Sequence, residues 1–134
     1  MVLCGHVYHL LVGFTVPQKP KLLVPAFVTA DGRVRMFVIN TSRTEFQKKE
    51  SIAGHVLPLA RDLHRGFLTH DSWLACHEVI GGWTSAEIEA APECYRGCLD
   101  VSVLATVRNV IGESRLFSVR DKDAFLSQWP QPSA

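Results

Sequence analysis

The stretch KLLVPAFVTADGRVRMFVINTS, residues 21–42, decides the fold of this chain of 134 residues. Two runs rich in Val, Leu, Ile and Phe flank Asp31-Gly32, where the glycine supplies the positive φ that a tight two-residue turn requires. The pattern predicts a β-hairpin over residues 21–40. Because Pro25 has no N–H to give to a strand ladder, we expect the first strand to bend, bulge or lie at an edge there.

Further strands are predicted on both sides of this hairpin. Residues 3–12, 54–60 and 71–79 are short apolar stretches that favour strands. The stretch TSRTEFQKKES, residues 41–51, is polar and charged, as is typical of a loop. The first eighty residues are therefore expected to be mainly β-structure.

The pattern changes to a helical period after residue 82. Thr84 and Glu87 fit a capping box at the start of a helix that Pro92 limits to about two turns. Apolar residues at helical spacing predict a second helix over residues 99–111, for which Gly112 is a natural stop. Asp121 is expected to cap a last short helix.

This order of elements predicts the fold class. Several strands followed by helices, with no repeated βαβ units, indicate an α+β protein: a small antiparallel barrel or sheet with helices packed on one side. The length fits one domain over residues 1–134, with a β-barrel portion over 1–80 and a mainly helical portion over 81–134.

Charge and composition narrow the classes of function. The net charge is only +1, but residues 1–67 carry a balance of +5 and residues 68–134 a balance of −4. One face is therefore expected to attract a polyanion, unless the charges spread over opposite sides with no partner.

The opening residues MVLCGHVYHLLVGF lack a basic leader, and no apolar run reaches the roughly 20 residues of a membrane span. We expect a cytoplasmic protein with no membrane contact.

The four cysteines leave two readings. Cys94 and Cys98 are four residues apart and Cys76 stands next to His77, so these four residues are a conceivable zinc set. No paired C-x-x-C knuckles occur, and reduced, partly buried thiols are the simpler reading. We expect neither a metal nor another cofactor.

The stretch HRGFLTHDSWLACHEV, residues 64–79, places histidines next to candidate nucleophiles. Ser72 or Cys76 with a nearby histidine would suit acyl transfer, but no strand–elbow–helix motif such as G-x-S-x-G is present. The alternative is that His64, His70, Asp71 and Ser72 only fix the loop through bonds to nearby backbone groups.

Metal-free RNA cleavage is the third chemistry for which suitable residues are present. It needs proton transfer at the 2′- and 5′-oxygens and a donor that stabilises charge on the phosphate. Thr41, Ser42 and Arg43 follow the second hairpin strand and supply hydroxyls and a cation, while His64 or His70 would supply proton transfer. The basic residues expected to hold the RNA backbone are Lys19, Lys21, Arg35, Lys48 and Lys49.

The order of these segments resembles the MazF/PemK-like superfamily. The resemblance rests on the strand ending VINTS and on His64-Arg65-Gly66-Phe67 followed by His70-Asp71-Ser72-Trp73, and it covers about residues 19–79. Arg65-Gly66 replaces the proline of the family pattern, and the N-terminal opening that carries an important arginine in better-studied toxins is not recognisable in MVLCGHVYH.

The resemblance implies a fold and a function. The fold is a small, curved antiparallel barrel of the Src-homology-3-like kind with appended helices, usually a homodimer. The function is that of the toxin in a toxin–antitoxin pair, which cleaves single-stranded RNA without a metal. Thr41 matches the family's hydroxyl residue, with Ser42 adjacent, and Arg43 and Arg35 are candidates for its arginine by proximity only.

A second function is open on the same fold. The near-neutral net charge and the missing N-terminal arginine favour a module without chemistry that binds a protein partner or acts as a regulator. If the protein is a toxin, its expected partner is an acidic antitoxin. If it is a module without chemistry, its expected partner is an unrelated protein.

Overall fold

The computed structural model describes residues 1–12 and 18–131. The strands are β1 His6–Val12, β2 Lys19–Val28, β3 Arg33–Asn40, β4 Val56–Leu59, β5 Ser72–Thr84 and β6 Tyr95–Cys98. The α-helices are α1 Glu50–Ala53, α2 Ser85–Glu89, α3 Val101–Glu113 and α4 Val119–Gln128, and short 3-10 helices span Phe46–Lys48, Arg61–Leu63 and Pro92–Cys94.

The predicted hairpin is confirmed as β2 and β3. Gly32 has φ +82°, and its N–H donates to the carbonyl oxygen of Thr29 at 2.9 Å. The Thr29 N–H donates to the Arg33 carbonyl oxygen at 2.8 Å, so the turn contains three residues, 30–32, rather than the two expected. The ladder between the two strands shifts register between Pro25 and Phe27, which confirms the irregularity expected at the proline. At the end of β2, the Gln128 amide binds both main-chain groups of Val28, at 2.7 Å and 2.9 Å, and so ties α4 to the hairpin.

The sheet is antiparallel and open. Its six strands lie in the order β4-β5-β3-β2-β1-β6, so the expected closed barrel is wrong for the described residues. The edge strands β4 and β6 have four residues each and do not pair with each other. Hydrogen bonds from the loop after β4 connect the ends of these two strands instead. His64 in this loop binds Ala60, which follows β4, and Asp100, which follows β6.

Both faces of the sheet are buried. We call the side that packs on α3 and α4 the helical face; its core residues include Phe37, Ile39, Leu74, Ile111, Phe125 and Trp129. The other side, which we call the opposite face, has a core that includes Tyr8, Leu23, Val34, Met36 and Ile88. Alternation along β3 assigns residues 37 and 39 to one face and residues 34, 36 and 38 to the other.

The helices confirm part of the prediction. The capping box is present, since Thr84 Oγ1 accepts from the Glu87 N–H and the Glu87 carboxylate accepts from the Thr84 N–H, both at 3.2 Å. α3 continues one residue past Gly112, the expected stop. The cap of α4 is Ser118 rather than Asp121, because the Ser118 hydroxyl accepts from the Asp121 N–H at 3.1 Å.

Other elements were not predicted. The stretch 41–51 contains a 3-10 helix and the start of α1, although a loop was expected. β6 lies in the portion expected to be mainly helical and pairs with β1. In the described part of the chain, no helix is both long and apolar enough to cross a membrane.

Candidate nucleic-acid interface

A row of side chains crosses the opposite face at one end of the sheet. Asn40 of β3 pairs with Trp73 of β5, and Lys21 of β2 lies next to Asn40, to whose Oδ1 its Nζ donates at 2.9 Å. Directly paired residues project to the same face, and Asn40 shares the parity of Val38, which packs on the opposite-face core. Lys21, Asn40 and Trp73 therefore form one cationic, polar and aromatic row.

Arg43 completes this row from the chain that follows β3. Its guanidinium carbon lies 4.3 Å from the centroid of the Trp73 ring, within the range of a cation–π contact. Thr41 and Ser42 are exposed between Asn40 and Arg43. We define the strand-end surface as Lys21, Asn40, Thr41, Ser42, Arg43 and Trp73. This surface presents two cations, two exposed hydroxyl residues and one aromatic ring.

The next residues are held by a capping arrangement. The Thr44 N–H donates to Gln47 Oε1 at 3.0 Å, and the Gln47 N–H donates to Thr44 Oγ1 at 3.1 Å. This reciprocal pair is the T-x-x-Q form of a capping box, and it fixes the 3-10 helix that begins at Phe46. The signal was present in the sequence as Thr44-Glu45-Phe46-Gln47.

Two of the predicted basic residues lie on this helix and directly after it. Lys48 forms an exposed ion pair with Glu45 at 3.4 Å. Lys49 Nζ lies 5.4 Å from the centroid of the Phe46 ring. These lysines continue the positive charge of the strand-end surface along the chain toward α1.

The other two predicted basic residues occupy different places. Lys19 is exposed at the start of β2, two residues before Lys21 and paired with Val12. Arg35 lies away from the strand-end surface, in a groove of about 900 Å³ between the hairpin and α4 that Arg120 also lines. The structure therefore does not bring Arg35 together with Arg43.

His64 is a buried structural residue. Its ring is 2% exposed, its Nδ1 lies 2.8 Å from the Ala60 carbonyl oxygen, and its Nε2 accepts from the Asp100 N–H at 3.0 Å. Because the Asp100 N–H can only donate, Nε2 carries no proton and Nδ1 donates to Ala60. Both ring nitrogens are occupied, so His64 has no free atom for proton transfer to a ligand.

The other polar residues of this loop divide into fixed and free. Asp71 Oδ1 accepts from the Arg61 N–H at 2.9 Å, and the Ser72 hydroxyl donates to the His70 carbonyl at 3.1 Å. The His70 side chain is exposed. We call residues 60–72 the histidine loop; of its predicted catalytic residues, only His70 has an accessible imidazole.

The nucleophile and zinc readings find no geometric basis. Cys76 is fully buried, and burial raises the pKa of its thiol well above the usual value. Cys76 lies in the core of the helical face and Cys94 in that of the opposite face, so the sheet separates two of the four residues of the conceivable zinc set. Among the described residues, no cluster of three or more His, Cys, Asp or Glu is placed to hold a metal.

The structure reveals one histidine–hydroxyl pair that sequence reasoning missed. His55 Nε2 lies 2.7 Å from Ser114 Oγ, beside a groove of about 360 Å³, and that oxygen also accepts from the Leu116 N–H at 3.0 Å. Burial lowers the pKa of His55, and the charge of His77 lowers it further. The two partners are 59 residues apart, so no local pattern signals the pair, which ties the start of β4 to the end of α3.

An apolar groove of about 540 Å³ adjoins the strand-end surface. Trp73 forms part of its wall together with β4, the histidine loop and the exposed side of α3. Its apolar lining includes Leu57, Leu59, Leu63 and Val103. Trp73 therefore lies at the border between the cationic surface and this apolar groove.

This arrangement is suited to a flexible polyanion with aromatic bases. Lysine and arginine neutralise phosphates, and aromatic rings beside cations stack unpaired bases.

Comparison with protein-family models, curated proteins and solved structures finds no family, protein or structure that matches this chain.

Proposed function

We propose that this protein binds single-stranded RNA at the strand-end surface and acts as a MazF/PemK-like toxin of a toxin–antitoxin or related defence system. The observation that carries the proposal is the Arg43 guanidinium held 4.3 Å over the Trp73 ring, beside exposed Thr41 and Ser42. A cation fixed next to free hydroxyls and a ring can hold a phosphate and stack its base.

The proposed chemistry is metal-independent cleavage of the bound strand. The 2′-oxygen forms a bond to phosphorus while the bond from phosphorus to the 5′-oxygen breaks, which leaves a cyclic phosphate and a 5′-hydroxyl. The 2′-hydroxyl loses a proton and the 5′-oxygen gains one, so His70 is assigned proton transfer as the accessible imidazole of the predicted set. Arg43 stabilises the charge on the phosphate, and Thr41 donates a hydrogen bond to it.

The test measures binding and cleavage separately. A short unstructured RNA with a fluorescent label is titrated with the protein in a buffer that contains a metal chelator. The same mixtures are then resolved on a denaturing gel to detect cleavage. We expect Arg43→Ala to weaken binding about tenfold and to lower the slope of log affinity against log salt by about one. Thr41→Ala should bind nearly as the wild type does and cut more slowly.

Arg120→Ala is the matched control, because this exposed arginine lies on α4, in the groove beside the hairpin. It should bind and cut RNA as the wild type does. Equal losses in Arg43→Ala and Arg120→Ala would show that the charge of the protein as a whole, rather than this surface, attracts RNA. Cleavage that stops in a chelator would contradict the metal-independent step.

The second candidate is a protein-binding module without chemistry, favoured by the apolar groove that Trp73 helps to line. An acidic segment with apolar side chains, as expected of an antitoxin, would place its charge at Arg43 and its side chains against Leu57 and Val103. Failure of the wild type to bind any RNA, with capture of one acidic protein lost in Val103→Asp, would favour this candidate. Homodimer formation is proposed only from the family resemblance.

A further inference from the structure

Phe46 is an exposed aromatic residue in a rigid setting. Its side chain is 51% exposed although large apolar side chains favour burial. The two hydrogen bonds between Thr44 and Gln47 hold the 3-10 helix that contains Phe46. The Phe46 ring is therefore presented to solvent by an ordered part of the main chain.

The surroundings of Phe46 repeat those of Trp73. Lys49 Nζ lies 5.4 Å from the Phe46 ring centroid, as the Arg43 guanidinium lies 4.3 Å from that of Trp73. The Phe46 ring also contacts the buried His77 ring, with centroids 5.8 Å apart and planes at 57°. Each aromatic ring thus has a cation beside it and a fixed position on the sheet.

The two rings lie over the same side of β5. Alternation from Trp73 through Ala75 to His77 places Trp73 and His77 on one face, before the register shift that falls between Ala75 and Ile80, and four residues of extended strand span about 13 Å. Arg43 contacts Trp73 and Phe46 contacts His77, so the chain from 43 to 46 follows this face in parallel with β5. The two platforms therefore lie at a distance that a short unpaired strand can bridge.

We infer that Phe46 is a second base-stacking platform, and that Phe46 and Trp73 together select unpaired RNA over duplex. This inference rests on the proposed function and adds to it a second residue that recognises the unpaired bases. Stacking on a side chain requires a base that is free of its pair and splayed from its neighbours. Lys49 and Arg43 then hold the phosphates of the stacked nucleotides.

The test compares two substitutions at one position. Phe46→Leu keeps an apolar side chain and removes the π-face, whereas Phe46→Tyr keeps the ring. We expect Phe46→Leu to weaken binding of unstructured RNA about tenfold and Phe46→Tyr to bind within about twofold of the wild type. Duplex RNA of the same sequence should bind weakly and equally to all three proteins.

A spectroscopic readout locates the contact. RNAs carrying 2-aminopurine at single successive positions should show a position whose fluorescence changes on binding the wild type and Phe46→Tyr but not Phe46→Leu. Leu116→Ala, which shortens another exposed apolar side chain, is the control and should leave binding unchanged. Circular dichroism checks that each variant is folded.

The outcomes separate this inference from the proposed function. If Arg43→Ala and Trp73→Ala lose RNA while Phe46→Leu binds as the wild type does, the second platform is overturned and the RNA site stands. If Phe46→Leu and Phe46→Tyr lose affinity equally, the ring face is not what RNA contacts. If the wild type binds no RNA, both are overturned.

Discussion

The strand-end surface and the histidine loop are both polar, and both border β5, yet they use their side chains differently. In the histidine loop, His64, Asp71 and Ser72 satisfy main-chain groups of their own or a neighbouring segment. In the strand-end surface, Thr41 and Ser42 are exposed and Arg43 rests on a ring rather than on a carboxylate. Of the two sets of residues that the sequence predicts as catalytic, most of the side chains in the histidine loop are therefore already occupied, whereas those of the strand-end surface are available.

The largest effect on stability is expected at His64, the buried histidine of the histidine loop. His64→Ala removes a buried imidazole and leaves the Asp100 N–H without its partner, and we expect a loss of about 2–4 kcal/mol in the free energy of unfolding. Urea denaturation followed by circular dichroism measures it. His70→Ala is the matched control in the same loop and should change that free energy by less than about 0.5 kcal/mol.

The reverse pattern would break the comparison. If His64→Ala were as stable as the wild type and lost RNA cleavage, His64 would be a functional group rather than a structural one. Loss of cleavage in His70→Ala with unchanged stability would instead support the assignment of proton transfer to His70.

Acid should destabilise the folded state through His55 and His77. Burial lowers the pKa of both His55 and His77 below the usual 6.5. With a lower pKa in the folded state, the unfolded chain binds more protons below about pH 6.5, so the free energy of unfolding falls as the pH falls through that range. Urea midpoints at pH 7.5 and 5 should show a smaller decrease for His55→Gln than for the wild type. An equal decrease would show that His55 does not contribute.

The smallest effect is expected at the capping pair that positions Phe46. Thr44→Ala removes the acceptor of the Gln47 N–H, and we expect a loss of about 0.5–1 kcal/mol in stability with a fall of about threefold in RNA affinity. The fluorescence titration measures the second effect. Thr106→Ala, an exposed threonine on α3, should not change RNA affinity, and an equal fall in both variants would remove the link between this cap and binding.

Local patterns in the sequence predicted the elements whose cause is local. The hairpin turn at Gly32 and the Thr84 capping box depend on residues within a few positions of each other. Both are present, although the turn has three residues rather than two. The T-x-x-Q cap at Thr44 was equally local and was missed because the charged residues around it are typical of a loop. The cap of α4 was assigned to Asp121, although Ser118 three residues earlier also fits.

What the sequence could not predict depends on distant partners. β6 is four residues long and contains a glycine, and only its pairing with β1 makes it a strand. The structural role of His64 depends on Asp100, 36 residues away. Thr41, Ser42 and Arg43 were predicted together because they are adjacent, whereas Trp73 and Phe46 entered the site only through the register of β5.

Pro58 gives the open sheet a means to avoid aggregation. His55 and Cys76 form a hydrogen-bonded pair, so the regular ladder that follows turns the main-chain groups of Leu57 and Leu59 toward β5 and those of Pro58 outward. A proline at that outward position offers no N–H to an incoming strand. A second copy that docks along β4 therefore forms one main-chain hydrogen bond fewer than a regular edge strand would allow, which disfavours extension of the sheet at this edge.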